Sequence, residues 1–156
     1  MSQPPSKTDI SPAPEELYLS APPYPAVNPV SPSLSAPFVV IVAEDEPLIR
    51  MMISEVLEEA GFEVVEAKHA AEALAILRVR APEIRILFTD IHMPGAMNGL
   101  ELSHHARDHW PWISLLVTSG KAHPTARELP AGGRFIPKPY APQRVVDQIR
   151  ELMDAA

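Results

Sequence analysis

Leu87-Phe88-Thr89-Asp90-Ile91-His92-Met93-Pro94-Gly95 is the stretch on which the fold turns. An apolar run ends in a carboxylate, and a Met-Pro-Gly turn follows at once. Ile84, Ile86, Leu87 and Phe88 read as a strand covered on both faces, as in the middle of a parallel sheet. Asp90 then stands at the strand's carboxyl end. In open α/β sheets that rim is where ligands bind.

Along the chain, strand-like and helix-like segments alternate five times. Phe38-Val-Val-Ile-Val-Ala43 is a β-branched run that ends in Glu44-Asp45-Glu46. Pro47 opens a helix where proline fits best, and Gly61 stops it. Leu48, Ile49, Met52, Ile53, Val56, Leu57 and Ala60 mark its apolar face. Phe62–Glu66 reads as a short second strand. A second helix follows, with Ala70, Ala73, Leu74 and Leu77 on its stripe, and it ends before Pro82. Beyond Asp90, Gly99 leads into a third helix over Leu100–Asp108. Ile113–Val117 is a fourth strand, closed by Thr118-Ser119-Gly120. Between Lys121 and Gly133 the prolines leave room for a short fourth helix at most, over Pro124–Leu129. Arg134–Pro137 is a fifth strand running into Lys138-Pro139-Tyr140. A last helix spans Pro142–Asp154 and buries Val145, Val146, Ile149, Leu152 and Met153. The pattern implies a doubly wound α/β fold with right-handed crossovers.

Composition sets the outer bounds. Ten of the 19 prolines precede Phe38, in a stretch of Pro, Ser and Ala with few large apolar groups. Residues 1–37 are therefore expected to form a Pro-rich disordered tail, and residues 38–156 the compact domain. The Pro29-Val-Ser-Pro32 spacing suits either a polyproline ligand or a plain linker. A net charge of −7 and no Lys/Arg cluster argue against nucleic-acid binding. Cysteine is absent, which excludes thiolate metal sites and disulfides. There is no membrane-length apolar run and no signal-peptide pattern, so a cytoplasmic protein without membrane contact is expected.

Four strand ends carry polar groups: Glu44 and Asp45, then Asp90, then Thr118 and Ser119, then Lys138. In a parallel sheet all four project from one rim. Three carboxylates in one cleft repel unless a cation sits among them. Oxygen donors without His or Cys favour a Mg²⁺-type ion. A free carboxylate beside an ammonium, a hydroxyl and such an ion suits transient phosphoryl chemistry.

These motifs resemble the receiver domain of bacterial two-component response regulators. Ala43-Glu44-Asp45-Glu46, Asp90-Ile-His-Met-Pro94, Asn98-Gly99, Val117-Thr118-Ser119 and Lys138-Pro139 carry the resemblance over Phe38–Ala156. It implies a flavodoxin-like five-stranded sheet of order 2-1-3-4-5. It also implies that Asp90 takes phosphate from a sensor histidine kinase or phosphotransfer protein. Glu44 and Asp45 match the Mg²⁺-holding acidic pair, and His92 matches a position lending its backbone carbonyl. Thr118 matches the switch hydroxyl, Phe135 its partner aromatic, and Lys138 the family's ammonium. Met51, on the first helix, is a candidate kinase-docking contact. The Thr-Ser-Gly-Lys and Lys-Pro-Tyr wording resembles a stand-alone alphaproteobacterial subgroup.

The turn from Asp90 to Gly99 is one residue longer than the family's shortest form, and the fourth helix is stunted. A dimer through the usual signalling face is therefore in doubt. With the resemblance running to Ala156, output is expected through an unknown downstream protein, or by draining phosphate from a relay. Enzymatic activity is expected only toward the chain's own aspartate. A docking module that is never phosphorylated is the alternative. A haloacid-dehalogenase-type phosphatase fits less well, because the second Asp it needs falls at His92. His105 and His109 stand at i, i+4, a zinc-like spacing. No third ligand lies near them in sequence, so they read as ordinary exposed histidines. Trp110 and Trp112, either side of Pro111, read as core or loop-edge packing.

Overall fold

The computed structural model describes residues 38–155. The expectation for residues 1–37 lies outside them. Strands β1 (Val39–Ala43), β2 (Glu63–Ala67), β3 (Ile84–Asp90), β4 (Ser114–Ser119) and β5 (Arg134–Pro137) form one parallel sheet. Its order is β2-β1-β3-β4-β5, the doubly wound topology expected from the sequence. Four helices cover it: α1 (Pro47–Glu59), α2 (Ala70–Arg80), α3 (Gly99–His109) and α4 (Pro142–Ala155).

The alternation of side chains along β1 sorts the core into two halves. Ile41 and Ala43 face α2 and α3, packing with Leu74, Leu77, Leu87, Leu102 and Leu115. Val40 and Val42 face α1 and α4, packing with Ile53, Leu57, Phe88, Leu116 and Ile149. Phe88 and Leu116 lie two residues before Asp90 and Thr118, so both polar side chains follow the α1/α4 face to the rim. The pairing of Asp90 with Thr118 sets those two strand ends side by side.

One expectation needs correction. Leu48 and Met52 were placed on the apolar face of α1, yet they are 75% and 40% exposed. The buried stripe runs through Ile49, Ile53, Val56 and Leu57, and Leu48 and Met52 stand one position round the helix from it, toward solvent. Between β4 and β5 the described residues form no full helix, in keeping with the short or broken helix expected there. Pro124–Leu129 yields a single turn, closed by Leu129 N–H donating to the Thr125 carbonyl at 3.2 Å. Thr125 and Glu128 cap it reciprocally. His104 then ties the turn to α3, its Nε2 lying 2.7 Å from the Glu128 carbonyl.

Candidate functional site

Three of the sequence-selected residues meet at the carboxyl rim. Lys138 Nζ donates to Glu44 Oε1 and to Asp90 Oδ2, both at 3.0 Å. Register accounts for this: Ser119 pairs with Pro137, and Lys138 N–H donates to the Ser119 carbonyl, which turns the lysine back over the centre of the sheet. Glu44 and Asp90 are buried, at 1% and 6% exposure, and Lys138 covers them. Glu44 Oε2 also accepts from Glu46 N–H at 3.1 Å. Asp90 Oδ1 receives a long 3.4 Å contact from His92 N–H, so it is the less committed oxygen.

The electrostatics follow from this burial. Desolvation pushes the Glu44 carboxyl above its ordinary range, against the pull of the Glu46 N–H and Lys138. Desolvation alone would push the Lys138 ammonium down. Its hydrogen bonds to Glu44 and Asp90 outweigh that, and the net direction is up. Lys138 is thus held protonated by two acids that repel each other.

One carboxylate oxygen from each of Glu44, Asp45 and Asp90 lies within 4.8 Å of the others. Three hard oxygen donors at that spacing fit a small divalent cation such as Mg²⁺, and the donor set lacks anything softer.

Residues 40–150 match the response regulator receiver domain. The chain belongs to that family. This receiver is 31% identical over 117 residues to the chemotaxis protein CheY of Thermotoga maritima, covering 72% of this chain and 95% of CheY. It is 33% identical over 124 residues to the sensor kinase CckA of Brucella abortus, covering 78% of this chain but 13% of the kinase. The solved response regulator receiver protein of Sinorhizobium medicae superposes with a TM-score of 0.70 at 25% identity, covering 79% of this chain and 98% of that one. The sheet order and the family agree with the fold expected from the sequence.

Thr118 and Ser119 lie at the same rim in less committed positions. Thr118 Oγ1 is buried and donates to the Ile136 carbonyl at 2.7 Å, turned toward β5. Ser119 is a loop cap, its Oγ accepting from Lys121 N–H and Ala122 N–H at 3.1 and 3.0 Å. Phe135 is half-buried and meets the His123 ring edge-on, with centroids 5.7 Å apart. His92 holds its side chain in solvent. Met51 is 50% exposed on α1, next to Leu48 and Met52.

The structure adds residues that the sequence reading did not single out. Arg50 reaches back from α1 to donate to the Glu44 carbonyl at 2.7 Å and to Glu66 Oε1 at 3.1 Å. It thereby fixes the main chain that carries the acidic pair, and its place one turn beyond Glu46 was the available signal. Thr89 Oγ1 donates to the Asp90 carbonyl at 2.9 Å. Tyr140 packs edge-on against Phe88, and burial pushes its phenol up to about 12. Gly99 sits so close to Asp90 that a Cβ there would overlap the Asp90 carbonyl oxygen.

Proposed function

We propose that Asp90 accepts a phosphoryl group from the phosphohistidine of a sensor kinase or phosphotransfer protein. The observation that carries this reading is Lys138 Nζ, 3.0 Å from the buried Asp90 carboxylate at the sheet's carboxyl rim. An Asp90 oxygen attacks phosphorus, the P–N bond breaks, and its electron pair returns to the donor imidazole, which takes up a proton. Lys138 neutralises charge that builds on the phosphoryl oxygens. Glu44, Asp45 and Asp90, with the His92 main-chain carbonyl, are the residues that would hold Mg²⁺. That ion, when bound, supplies positive charge against the phosphoryl oxygens.

Water later attacks the phosphorus of the acyl phosphate, the Asp90 O–P bond breaks, and inorganic phosphate leaves with the carboxylate restored. Catalysis is thereby confined to the chain's own aspartate. Thr118 is proposed to leave the Ile136 carbonyl and donate to the new phosphoryl group, with Phe135 as the neighbouring aromatic. Exposed Met51 on α1 is a candidate kinase contact. The phosphorylated chain would act by binding a downstream protein or by draining phosphate from a relay. Among the described residues no helix is long and apolar enough to cross a membrane. A cytoplasmic site of action is proposed with the rest.

The test is intact-protein mass spectrometry after incubation with acetyl phosphate, with and without Mg²⁺. A gain of one phosphoryl group that requires Mg²⁺ and disappears in Asp90→Asn supports the proposal. No gain in the wild-type chain at saturating Mg²⁺ and donor would leave a docking module that is never phosphorylated.

A further inference from the structure

Arg50 takes no part in the phosphoryl chemistry, yet its guanidinium is built into the rim. Its side chain is only 11% exposed, so the charged fork holds one direction. Nη1 donates to the Glu44 carbonyl oxygen at 2.7 Å, and Nε donates to Glu66 Oε1 at 3.1 Å. That carbonyl belongs to the peptide unit joining Glu44 to Asp45, so the bond holds the plane from whose two ends the acidic side chains hang. The Glu44 N–H is taken on the other side by the Ala67 carbonyl of β2 at 3.0 Å. Glu46 N–H closes onto Glu44 Oε2 at 3.1 Å. Glu66 itself pairs with Val42 in the sheet register, two residues before Glu44. The guanidinium therefore reaches from α1 across the end of β1 to β2. Its two bonds leave different edges of a rigid planar fork, which an ammonium on a flexible stem does not reproduce.

We propose that Arg50, braced by Glu66, is the positioning residue that presents Glu44 and Asp45 to a divalent cation and so sets how tightly Mg²⁺ is held. This role rests on the reading of Glu44, Asp45 and Asp90 as a cation site, where one oxygen of each lies within 4.8 Å of the others. The bonds of Arg50 go to main chain and to Glu66, not to a carboxylate of that set. Groups that orient metal ligands from behind carry roughly 10- to 100-fold in affinity. A guanidinium acting only as a nearby positive charge would repel the cation, and its removal would tighten binding. Geometry and bare charge thus call for changes of opposite sign.

The probe is Mn²⁺, which shares the oxygen ligands of Mg²⁺ and whose free ion is counted by electron paramagnetic resonance. The full chain is titrated with MnCl₂, and Mg²⁺ is then added in competition. The wild-type chain should bind one equivalent, displaced by Mg²⁺. Arg50→Ala should bind Mn²⁺ roughly 10-fold more weakly. Arg50→Lys should also bind more weakly although it keeps the charge, and Glu66→Ala should fall between wild type and Arg50→Ala. Arg80→Ala is the control. It removes the same charge from a guanidinium bonded to Glu63, at the opposite end of β2, and should leave the affinity unchanged. The Mg²⁺ concentration for half-maximal acetyl-phosphate uptake should rise by the same factor as the Mn²⁺ constant. Circular dichroism shows which variants are folded, and Arg50→Lys and Glu66→Ala carry the test if Arg50→Ala is not. Unchanged or tighter Mn²⁺ binding in the folded Arg50 variants would overturn the proposal, as would a wild-type chain that binds no Mn²⁺. Weaker binding in the variants, with no phosphate uptake by wild type, would uphold the positioning role and remove the phosphoryl reading. Unchanged binding with normal wild-type uptake would do the reverse.

Discussion

Lys138 shows how much one side chain carries. It is the common partner of two buried carboxylates, so Lys138→Met leaves both without their cation. We expect a loss of about 1–3 kcal/mol in metal-free buffer at pH 7, read from urea midpoints. The pH dependence has a definite sign. A lysine with a raised folded pKa binds its proton more tightly folded than unfolded, so its contribution is full below the unfolded value of about 10.4. That contribution disappears as pH climbs through the folded value. The wild-type chain should lose stability along this alkaline limb, and Lys138→Met should flatten it. A variant profile parallel to wild type at high pH would show that the two contacts contribute little. Asp90, Glu44 and Lys138 were legible in the sequence because each ends an apolar run, and strand ends converge by topology. The direction of Thr118 Oγ1 was not, because a hydroxyl between two strands can turn either way and only the β5 carbonyl decides.

At the scale of elements, α3 is placed by its first residues. Asn98 accepts from Glu101 N–H at 2.8 Å, and the Glu101 carboxylate accepts from Asn98 N–H at 2.9 Å, a complete capping box. Asn98→Ala should cost about 1 kcal/mol. Gly99→Ala should cost more, about 1–3 kcal/mol, because the new methyl meets main chain that cannot swing aside. The displaced atoms belong to Asp90, so Gly99→Ala should also slow acetyl-phosphate uptake, whereas Asn98→Ala should lower stability with little change in that rate. Thermal melts and phosphorylation time courses on both variants separate the two effects. Equal rates for both would mean that α3 does not position the carboxylate. Strands were readable from β-branched runs, and helix stops from Gly61 and the prolines. The exposure of Leu48 and Met52 was harder to read, because both are apolar and stand one position round the helix from Ile49 and Ile53, so spacing alone leaves the width of the buried stripe open.

Across the molecule, one sheet separates two cores while its rim joins their outputs. Leu87 is fully buried on the α2/α3 side, and Phe88 is buried on the α1/α4 side, one residue away on the same strand. Leu87→Ala should cost about 2–5 kcal/mol through the cavity it leaves. Because β3 belongs to both halves, denaturant unfolding should remain one transition when followed by either fluorescence or circular dichroism. Two separated transitions would show that the layers unfold independently. The family and the sheet order could be read from five motifs in sequence. The linkage of the β4–β5 turn to α3 through His104 could not, since 24 residues separate His104 from Glu128 and only the folded chain brings them together.

Asp90, rather than a neighbouring acid or an exposed histidine, is the proposed carrier of the phosphoryl group. Borohydride reduction of the acetyl-phosphate-treated protein converts an aspartyl phosphate to homoserine, and tandem mass spectrometry then locates it. Homoserine at position 90 alone is the predicted result. A reduced residue at Glu44 or Asp45, or phosphate retained on His92 with Asp90 unmodified, would contradict that assignment.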